Sequence, residues 1–571
     1  MKATEERELS TSSVSTPSFT LVLPVDSEDS LVPDETIKTV LEQSFNDWEM
    51  ILVITGSGTA RTSKHWKQLR EDRRVRLIRA EEASAVASLN AAVKRSTGEW
   101  IIPIDGSMQL RPNALEVLQK AASETPIAGL IYSDEGEIDD RERRKPSDQK
   151  PSWSPERLRH GMYLGNFVAF RRDLTLNVDM YRQEFEGVHN YDLALRISET
   201  TADVAFVPAV LCYRFMATEE LSGLENDEQA LGRAAIQEHL NRIELESYEV
   251  VDGPRPGTYS LKRPFDPETR VSVVIPTRGG SAEIRGQERV LVTHTVRSLM
   301  EHTTHQNLEV VIVFDADTPQ SVLAELESIC SSKLVPVRYE RPFNFSEKCN
   351  LGFAASSGNI VVFLNDDMEI VSDRFIEDLC APLQEKEVGA TGARLIFENG
   401  TIQHAGVIAQ RGNFMHAYAK WADDSAGYCD DLLVDHEVSM VTGACLALRR
   451  ETFEQVGRFD EQLPSNFNDV DLCLKIRSEG MRVIWLSQVR AFHFESLSRD
   501  NTVTRPEVKL MAGRWPRTSR DPYMPQESQR LIKYVQRTRV PRKLLSLYRR
   551  ARRQLRQVRS HDRPQKINRK Q

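Results

Sequence analysis

The chain has 571 residues, with 75 basic and 84 acidic side chains and a net charge of −9. At about 150 residues per domain this is room for three to four domain-sized units, and 40% hydrophobic with 28% charged residues is ordinary for a globular chain. No apolar run approaches the ~20 residues that span a bilayer, and the seven cysteines are scattered without a CxxC pair, so membrane-spanning, fibrous and disulfide-framework readings are excluded.

The N-terminal stretch MKATEERELSTSS is polar and acidic where a secretory leader would be basic and then apolar. Residues 1–18 are therefore expected to be disordered, and the chain to be cytoplasmic with reduced thiols. From residue 19 a plan begins that occurs twice. FTLVLPV (19–25) and VSVVIPT (271–277) read as buried strands, each followed by a helix-like stretch and a second apolar strand, WEMILVIT (48–55) and LEVVIVFD (308–315). A helix carrying Asn comes next, SLNAAVKRSTGEW and KCNLGFAASSGNI, then a third strand, WIIPIDGS (100–107) and IVVFLNDD (360–367). The copies keep an offset of 252 at Pro24 and Pro276 and of 260 at Asp105 and Asn365. YDLALR (191–196) matches VDLCLK (470–475) at an offset of 279. Order kept over this distance is an internal duplication.

Strands alternating with helices predict an α/β fold with a largely parallel sheet in each copy. The copies are expected over 19–215 and 268–500, joined by a helical linker at 216–267 that ends in the turn-rich GPRPGTYSLKRPFDP. Residues 501–571 read as an irregular segment followed by a basic tail. In 537–571 there are 14 Lys/Arg and one acid, Asp562, and Leu544, Leu547, Tyr548, Ala551, Leu555 and Val558 recur at helical spacing. Such a basic amphipathic helix suits an anionic membrane surface, which makes the chain a peripheral protein of the inner membrane face. The alternative is a solvated helix packed on its own domain. The acidic body lacks a nucleic-acid-binding motif, so no nucleic-acid partner is expected.

Ligands of parallel sheets sit beyond the carboxyl ends of the strands, which places Pro276, Thr277, Asp315, Asn365, Asp366 and Asp367 on one rim of the second copy. Adjacent carboxylates repel unless a cation or hydrogen bonds compensate, and a divalent metal on a diphosphate is one such cation. Asp469 and Asp471 bracket Val470 just before a helix, where one can cap it and the other face a cavity. His493 follows another strand and offers an imidazole. Each feature alone also fits a structural role, as an acidic turn, a helix cap or a core histidine.

In combination, VSVVIPTRGG, FNFSEKCNLGFAASSG, VVFLNDDMEI, GTIQHAGV, SMVTGACLALRR, FNDVDLCLKIRSEG and HFESLSR resemble a family 2 glycosyltransferase of the GT-A fold, in the bacterial polysaccharide and rhamnosyltransferase-like branch. Residues 19–215 resemble the same family more distantly, through YSDEGEID and PSWSPERL. The resemblance implies two tandem GT-A domains, Rossmann-like with mostly parallel sheets, plus the basic helical C-terminal tail. It implies an inverting transferase with a nucleotide-sugar donor, dTDP-rhamnose or a UDP-sugar, and a growing glycan or lipid-linked acceptor.

Residue by residue, the resemblance makes Asp367 and His493 ligands of Mn²⁺ or Mg²⁺, with Asn365 a neutral variant at the first position of the metal motif. Asp469 becomes the base, with Asp471 supporting it. Thr277 and Asp315 match nucleobase and ribose contacts, and Asn350 orders that pocket. Thr442, Gly443 and Ala444 match the loop that approaches sugar and acceptor. In the first copy Asp105, Gly106 and Ser107 stand opposite Asn365, Asp366 and Asp367, Asn190 opposite Asp469, and Tyr213 opposite His493. That copy is expected to be catalytically dead, the alternative being a metal-independent transferase using Asp105 and Asp192. For the whole chain, the competing functions are a non-catalytic glycan-binding protein and a nucleotidyltransferase.

Overall fold

The computed structural model describes residues 17–26, 34–55, 68–69, 71–80, 84–139, 143–146, 149–215, 226–410, 413–494, 503–516 and 521–524. The basic tail assigned to a membrane surface lies outside them, as does nearly all of the N-terminal stretch. Two compact units are present. The first comprises residues 1–147, 164–217 and 230–235, and the second 148–163, 218–229 and 236–571.

In the second unit the apolar run Val271–Thr277 is a strand buried along its whole length. It pairs in parallel with Leu308–Asp315 on one side and Ile360–Leu364 on the other. Uninterrupted apolar sequence of this kind is what a strand covered on both faces requires. Among the described residues the main sheet path runs Leu334–Tyr339, Leu308–Asp315, Val271–Thr277, Ile360–Leu364, Cys445–Arg449, Val388–Ile396, Arg482–His493, Met368–Ile370. The first three neighbouring pairs are parallel, and Cys445–Arg449 then enters antiparallel to both its neighbours.

The first unit repeats that path: Val75–Arg79, Trp48–Thr55, Phe19–Asp26, Trp100–Pro103, Val168–Arg171, Leu130–Ile138, Val204–Phe215, Met108–Leu110. Register repeats as well. Phe19 faces Trp48 and Trp100 as Val271 faces Leu308 and Ile360. One polar anchor at the amino end of the strands is common to both units. Glu309 accepts hydrogen bonds from Ser272 Oγ (2.5 Å), Ser357 N (2.6 Å) and Arg270 Nη2 (2.8 Å). Glu49 likewise accepts from Thr20 Oγ1 (2.7 Å) and Thr97 N (2.6 Å).

Three placements differ from the sequence expectation. PSWSPERL, read as part of the first copy, belongs to the second unit. There Glu156 meets Arg159 and Arg263, Arg159 meets Glu385, and Arg157 pairs with Asp431, all in buried surroundings. Charges cannot be buried singly, so the segment is held by a network of opposite pairs. The supposedly irregular stretch after residue 500 contains the helix Arg505–Arg514, opened by a capping box between Thr504 and Glu507 with Pro506 in its first turn. The motif T-R-P-E announces it in the sequence. Arg514 Nη1 reaches Asp471 Oδ1 at 2.8 Å, tying that helix to the helix Asn468–Ser478. The turn-rich end of the linker is also ordered, as an antiparallel hairpin of Glu249–Asp252 and Tyr259–Lys262.

Candidate active site

At the carboxyl ends of the second unit's parallel strands lies a cavity of about 840 Å³. Its lining contains Pro276, Thr277, Asp315, Asn365, Asp366, Asp367, Thr442, Gly443, Ala444, Asp469 and His493. Strand ends supply the first six, because a chain leaving a buried sheet can place polar side chains only once it clears the core.

The wall that carries Thr277 and Asp315 is organised by Lys348, a residue the sequence reading did not single out. Its Nζ donates to Thr277 O at 2.7 Å and pairs with Asp315 Oδ1 at 2.8 Å. Lys348 is 1% exposed and stands on the buried face of the helix Phe345–Ala355, with Phe345, Cys349, Gly352 and Phe353. A lysine at a core position of an amphipathic helix was the available signal. Asn350 is absent from the cavity lining. Its Nδ2 instead donates to Phe459 O and Glu461 Oε1, both at 3.0 Å, so it fastens the 459–461 loop and not the cavity wall.

On the floor, Thr277 Oγ1 donates to Asp366 Oδ2 at 2.6 Å. Burial, and then the adjacent Asp367 charge, push the Asp366 carboxyl up to about 6, against the Thr277 hydroxyl and the Lys348 ammonium. Thr295 Oγ1 bonds the carbonyls of Asp366 and Met368 at 2.7 and 2.8 Å, fixing the turn that presents the pair. Asp367 Oδ1 lies 3.1 Å from His493 Nε2, and both residues are under 10% exposed. The other ring nitrogen, Nδ1, sits 2.7 Å from Gln403 Oε1, which can only accept, so Nδ1 carries a proton. Asn365 Nδ2 donates to Nε2 at 3.2 Å. In this tautomer a lone pair on Nε2 stands 3.1 Å from a carboxylate oxygen, two donor atoms near enough to share one cation. A carboxylate and an imidazole are a donor set that suits Mn²⁺ or Mg²⁺, so the residues fit such an ion.

Opposite stands Asp469. Its Oδ2 accepts from Gly443 N and its Oδ1 from Val470 N, both at 2.8 Å. A Cβ added at Gly443 would lie 3.4 Å from Asp469 Cβ, so the loop runs close against this carboxylate. Phe467, just before the helix, has φ +63°, a left-handed conformation that a bulky side chain adopts at a cost of about 1–3 kcal/mol. Asp471 points away from the cavity and is fully buried. It holds Arg514, Trp515 Nε1 (2.9 Å) and Lys475.

A second cluster of metal-binding residue types, Glu156, His160 and Asp435, has ligand atoms within 4.8 Å of one another. Arg263 already pairs with both Glu156 and Asp435, so its charge is answered by a guanidinium.

The first unit differs at the positions matching Asn365, Asp366, Asp367, Asp469 and His493, and keeps an arginine-bound aspartate, Asp192, where Asp471 stands. Register corrects one pairing: Met368 faces His493, and Met108 faces Arg214, so the counterpart of His493 is Arg214 and not Tyr213. The offset of 279 between Asp192 and Asp471 gives the same answer. Arg214 Nε donates to Ser107 Oγ at 3.4 Å and Nη2 lies 3.7 Å from Asp105 Oδ2, so a guanidinium stands beside the positions that match Asn365 and Asp367. Asp192 is fully buried and bonded by Arg182 and Arg196.

Residues 28–178 match the family described as Glycosyl transferase family 2, and residues 267–518 that described as Glycosyltransferase like family 2. An uncharacterized protein of Sinorhizobium fredii is 32% identical over 520 residues, covering 87% of this chain and 56% of its own length. The O-antigen biosynthesis protein RfbC of Myxococcus xanthus is 31% identical over 492 residues, covering 85% of this chain and 38% of its own length. The chain thus spans about half or less of these curated relatives. Among solved structures, S. aureus TarS 1-349 in complex with UDP-GlcNAc is similar at 15% identity and a TM-score of 0.33, over 39% of this chain and 66% of that one. With both of its halves matched, the chain belongs to glycosyltransferase family 2.

Proposed function

We propose that the chain is an inverting glycosyltransferase, moving a sugar from a nucleoside diphosphate donor to a hydroxyl of a growing cell-surface glycan or lipid-linked precursor. The observation that carries this reading is the convergence in one cavity of Asp469, held by two backbone N–H groups, with the Asp367–His493 pair. Asp469 takes the proton of the acceptor hydroxyl while that oxygen bonds the anomeric carbon. The bond from this carbon to the diphosphate oxygen breaks with its electron pair leaving on the nucleoside diphosphate, and attack from the opposite face inverts the centre. Asp367 and His493 would hold Mn²⁺ or Mg²⁺, which when bound supplies Lewis-acid stabilisation of the charge on the leaving diphosphate.

The remaining residues bind and orient. Pro276, Thr277 and Asp315, braced by Lys348, take the nucleoside. Asn365 and Asp366 shape the floor beneath the diphosphate. Thr442, Gly443 and Ala444 bring backbone close to the sugar. The first unit serves as a non-catalytic companion, a reading supported by the guanidinium of Arg214 at its metal position and the arginine-bound Asp192. A relative named for O-antigen biosynthesis makes a cell-surface polysaccharide the first acceptor class to try, with dTDP-rhamnose and UDP-sugars as donors. No helix among the described residues is long and apolar enough to cross a membrane. In this reading the basic tail of residues 537–571 docks on an anionic membrane surface.

The test is thermal stability with UDP, GDP and dTDP, each with and without Mn²⁺, on wild type and Asp367→Ala. A ligand at ~100 times its dissociation constant adds about 2.7 kcal/mol. One nucleotide stabilising only with metal and only with Asp367 intact supports the reading. A shift that survives Asp367→Ala refutes the metal assignment. No shift with any nucleotide favours a glycan-binding protein, and consumption of a sugar phosphate with a nucleoside triphosphate favours a nucleotidyltransferase.

A further inference from the structure

The motif GTIQHAGV has so far been given no chemistry. Its Gln403 lies on the short strand Ile402–His404 and is 4% exposed. The side-chain amide makes two bonds to a single residue: Oε1 accepts Nδ1–H of His493 at 2.7 Å, and Nε2 donates to the His493 carbonyl at 3.4 Å. An amide oxygen only accepts and an NH₂ only donates, so one amide orientation satisfies both bonds. The proton is thereby required on Nδ1. Asn365 Nδ2, 3.2 Å from Nε2, is placed to donate to a lone pair there. Gln403 thus selects the neutral Nδ1–H tautomer, and the Nε2 lone pair of that tautomer faces Asp367.

The backbone explains how successive residues of the strand both serve the site. Pairing with Val388–Ile396 shifts register between Leu395 and Ile396, and irregularities of this kind re-aim side chains. Gln403 turns to His493, while His404 Nε2 accepts Thr442 N–H at 3.4 Å in the loop beside Asp469. Burial, with His416 and His493 nearby, holds His404 well below the usual histidine range, which keeps it neutral as an acceptor.

We propose that Gln403 is a positioning residue, which holds His493 as the Nδ1–H tautomer with Nε2 turned to Asp367 to receive a divalent cation. This rests on the metal-assisted reading above. Outer partners of metal-bound histidines fix ring orientation in this way, and their loss typically weakens metal binding about 10–100-fold. A core amide with only a packing role would carry no such signature.

The experiment has one readout that needs no metal. Full-length protein labelled with ¹⁵N-histidine is recorded metal-free, with the His493 ring nitrogens identified by their disappearance in His493→Gln. Wild type is expected to show Nδ1 protonated and Nε2 bare, and Gln403→Leu to show both tautomers in exchange. In parallel, Mn²⁺ is titrated by electron paramagnetic resonance. Gln403→Leu is expected to bind Mn²⁺ about 10–100-fold more weakly, and Gln403→Glu, which keeps an acceptor for Nδ1–H, to stay near wild type. A wild-type spectrum with the proton on Nε2 overturns the proposal without any variant. Unchanged Mn²⁺ affinity in a folded Gln403→Leu overturns it too. If the tautomer is as stated but wild type and Asp367→Ala alike fail to bind Mn²⁺, the metal-assisted reading falls and takes the ligand role of His493 with it.

Discussion

Replacing Lys348 by Met removes the ammonium and leaves the stem's volume nearly intact, so the effect isolates the charge. Two bonds go: Nζ to Thr277 O at 2.7 Å and Nζ to Asp315 Oδ1 at 2.8 Å. Hydrogen bonds to charged groups are worth about 1.5–3 kcal/mol each when a partner is stranded. The Asp315 side chain is 25% exposed and can recover part of its hydration, so the lower end applies to that bond. A total of about 3–4.5 kcal/mol follows, which for a unit of this size lowers its melting temperature by about 4–7 °C. The site should suffer beyond stability. Asp315 loses its fixed position, and a nucleotide contact weakened by about 1.4 kcal/mol raises the dissociation constant about tenfold. Differential scanning fluorimetry gives the first quantity. Titration calorimetry with the stabilising nucleotide, below the variant's melting temperature, gives the second. Lys348→Met with wild-type melting temperature and affinity would refute both the energetics and the nucleoside-side assignment of this wall.

Asp469→Asn should abolish transfer while preserving metal-dependent nucleotide binding, since the amide oxygen keeps one of the two backbone N–H bonds from Gly443 and Val470 but takes no proton; loss of nucleotide binding would argue for a structural role instead. Glu309→Gln tests the anchor at the amino end of the strands. Against the upward pull of burial, hydrogen bonds from Arg270, Ser272 and Ser357 bring the Glu309 carboxyl to about 2, from the usual 4.5. A depressed folded-state value means the stabilisation, about 3 kcal/mol, is complete above pH ~4.5 and fades as pH falls towards ~2. The gap between wild type and Glu309→Gln in urea melts should therefore close over that window, and a constant gap would contradict it. The double variant Asp105→Ala with Arg214→Ala should leave transfer rates within about twofold; a loss of activity with Asp469 intact would make the first unit a second catalytic centre. Deleting residues 537–571 should abolish salt-sensitive co-sedimentation with anionic liposomes, and unchanged binding would remove the membrane role.

Legibility differed from residue to residue for physical reasons. The rim residues Thr277, Asp315 and Asp367 could be read because an apolar run ending in a polar residue marks the carboxyl end of a buried strand, and that mark is local. Asp469 could be read because it stands with Asp471 at the start of a helix, where the family resemblance places a base. Lys348 left a weaker trace, visible only once the helix face is drawn. Asn350 carried a trace that pointed to the wrong partner, since a shared Asn on a helix does not say which loop it faces. Counting one residue short along a strand assigned Tyr213 where Arg214 stands. Side chains alternate across a sheet, so a slip of one exchanges the two faces, and the guanidinium beside Asp105 disappears from view.

The roles given to Asp469 and Asp367 are those a family resemblance implies; by itself, then, the amino-acid sequence determined the duplication, the α/β class and the rim on which Thr277, Asp315 and Asp367 sit. All of these follow from hydrophobic periodicity and from residues near one another in the chain. Only the tertiary structure decided that Gln403 meets His493, 90 positions apart, that residues 148–163 complete the second unit, and that the helix Arg505–Arg514 braces Asp471. Those contacts depend on register, rotamer and the burial of paired charges, which come into being together when the sheets close.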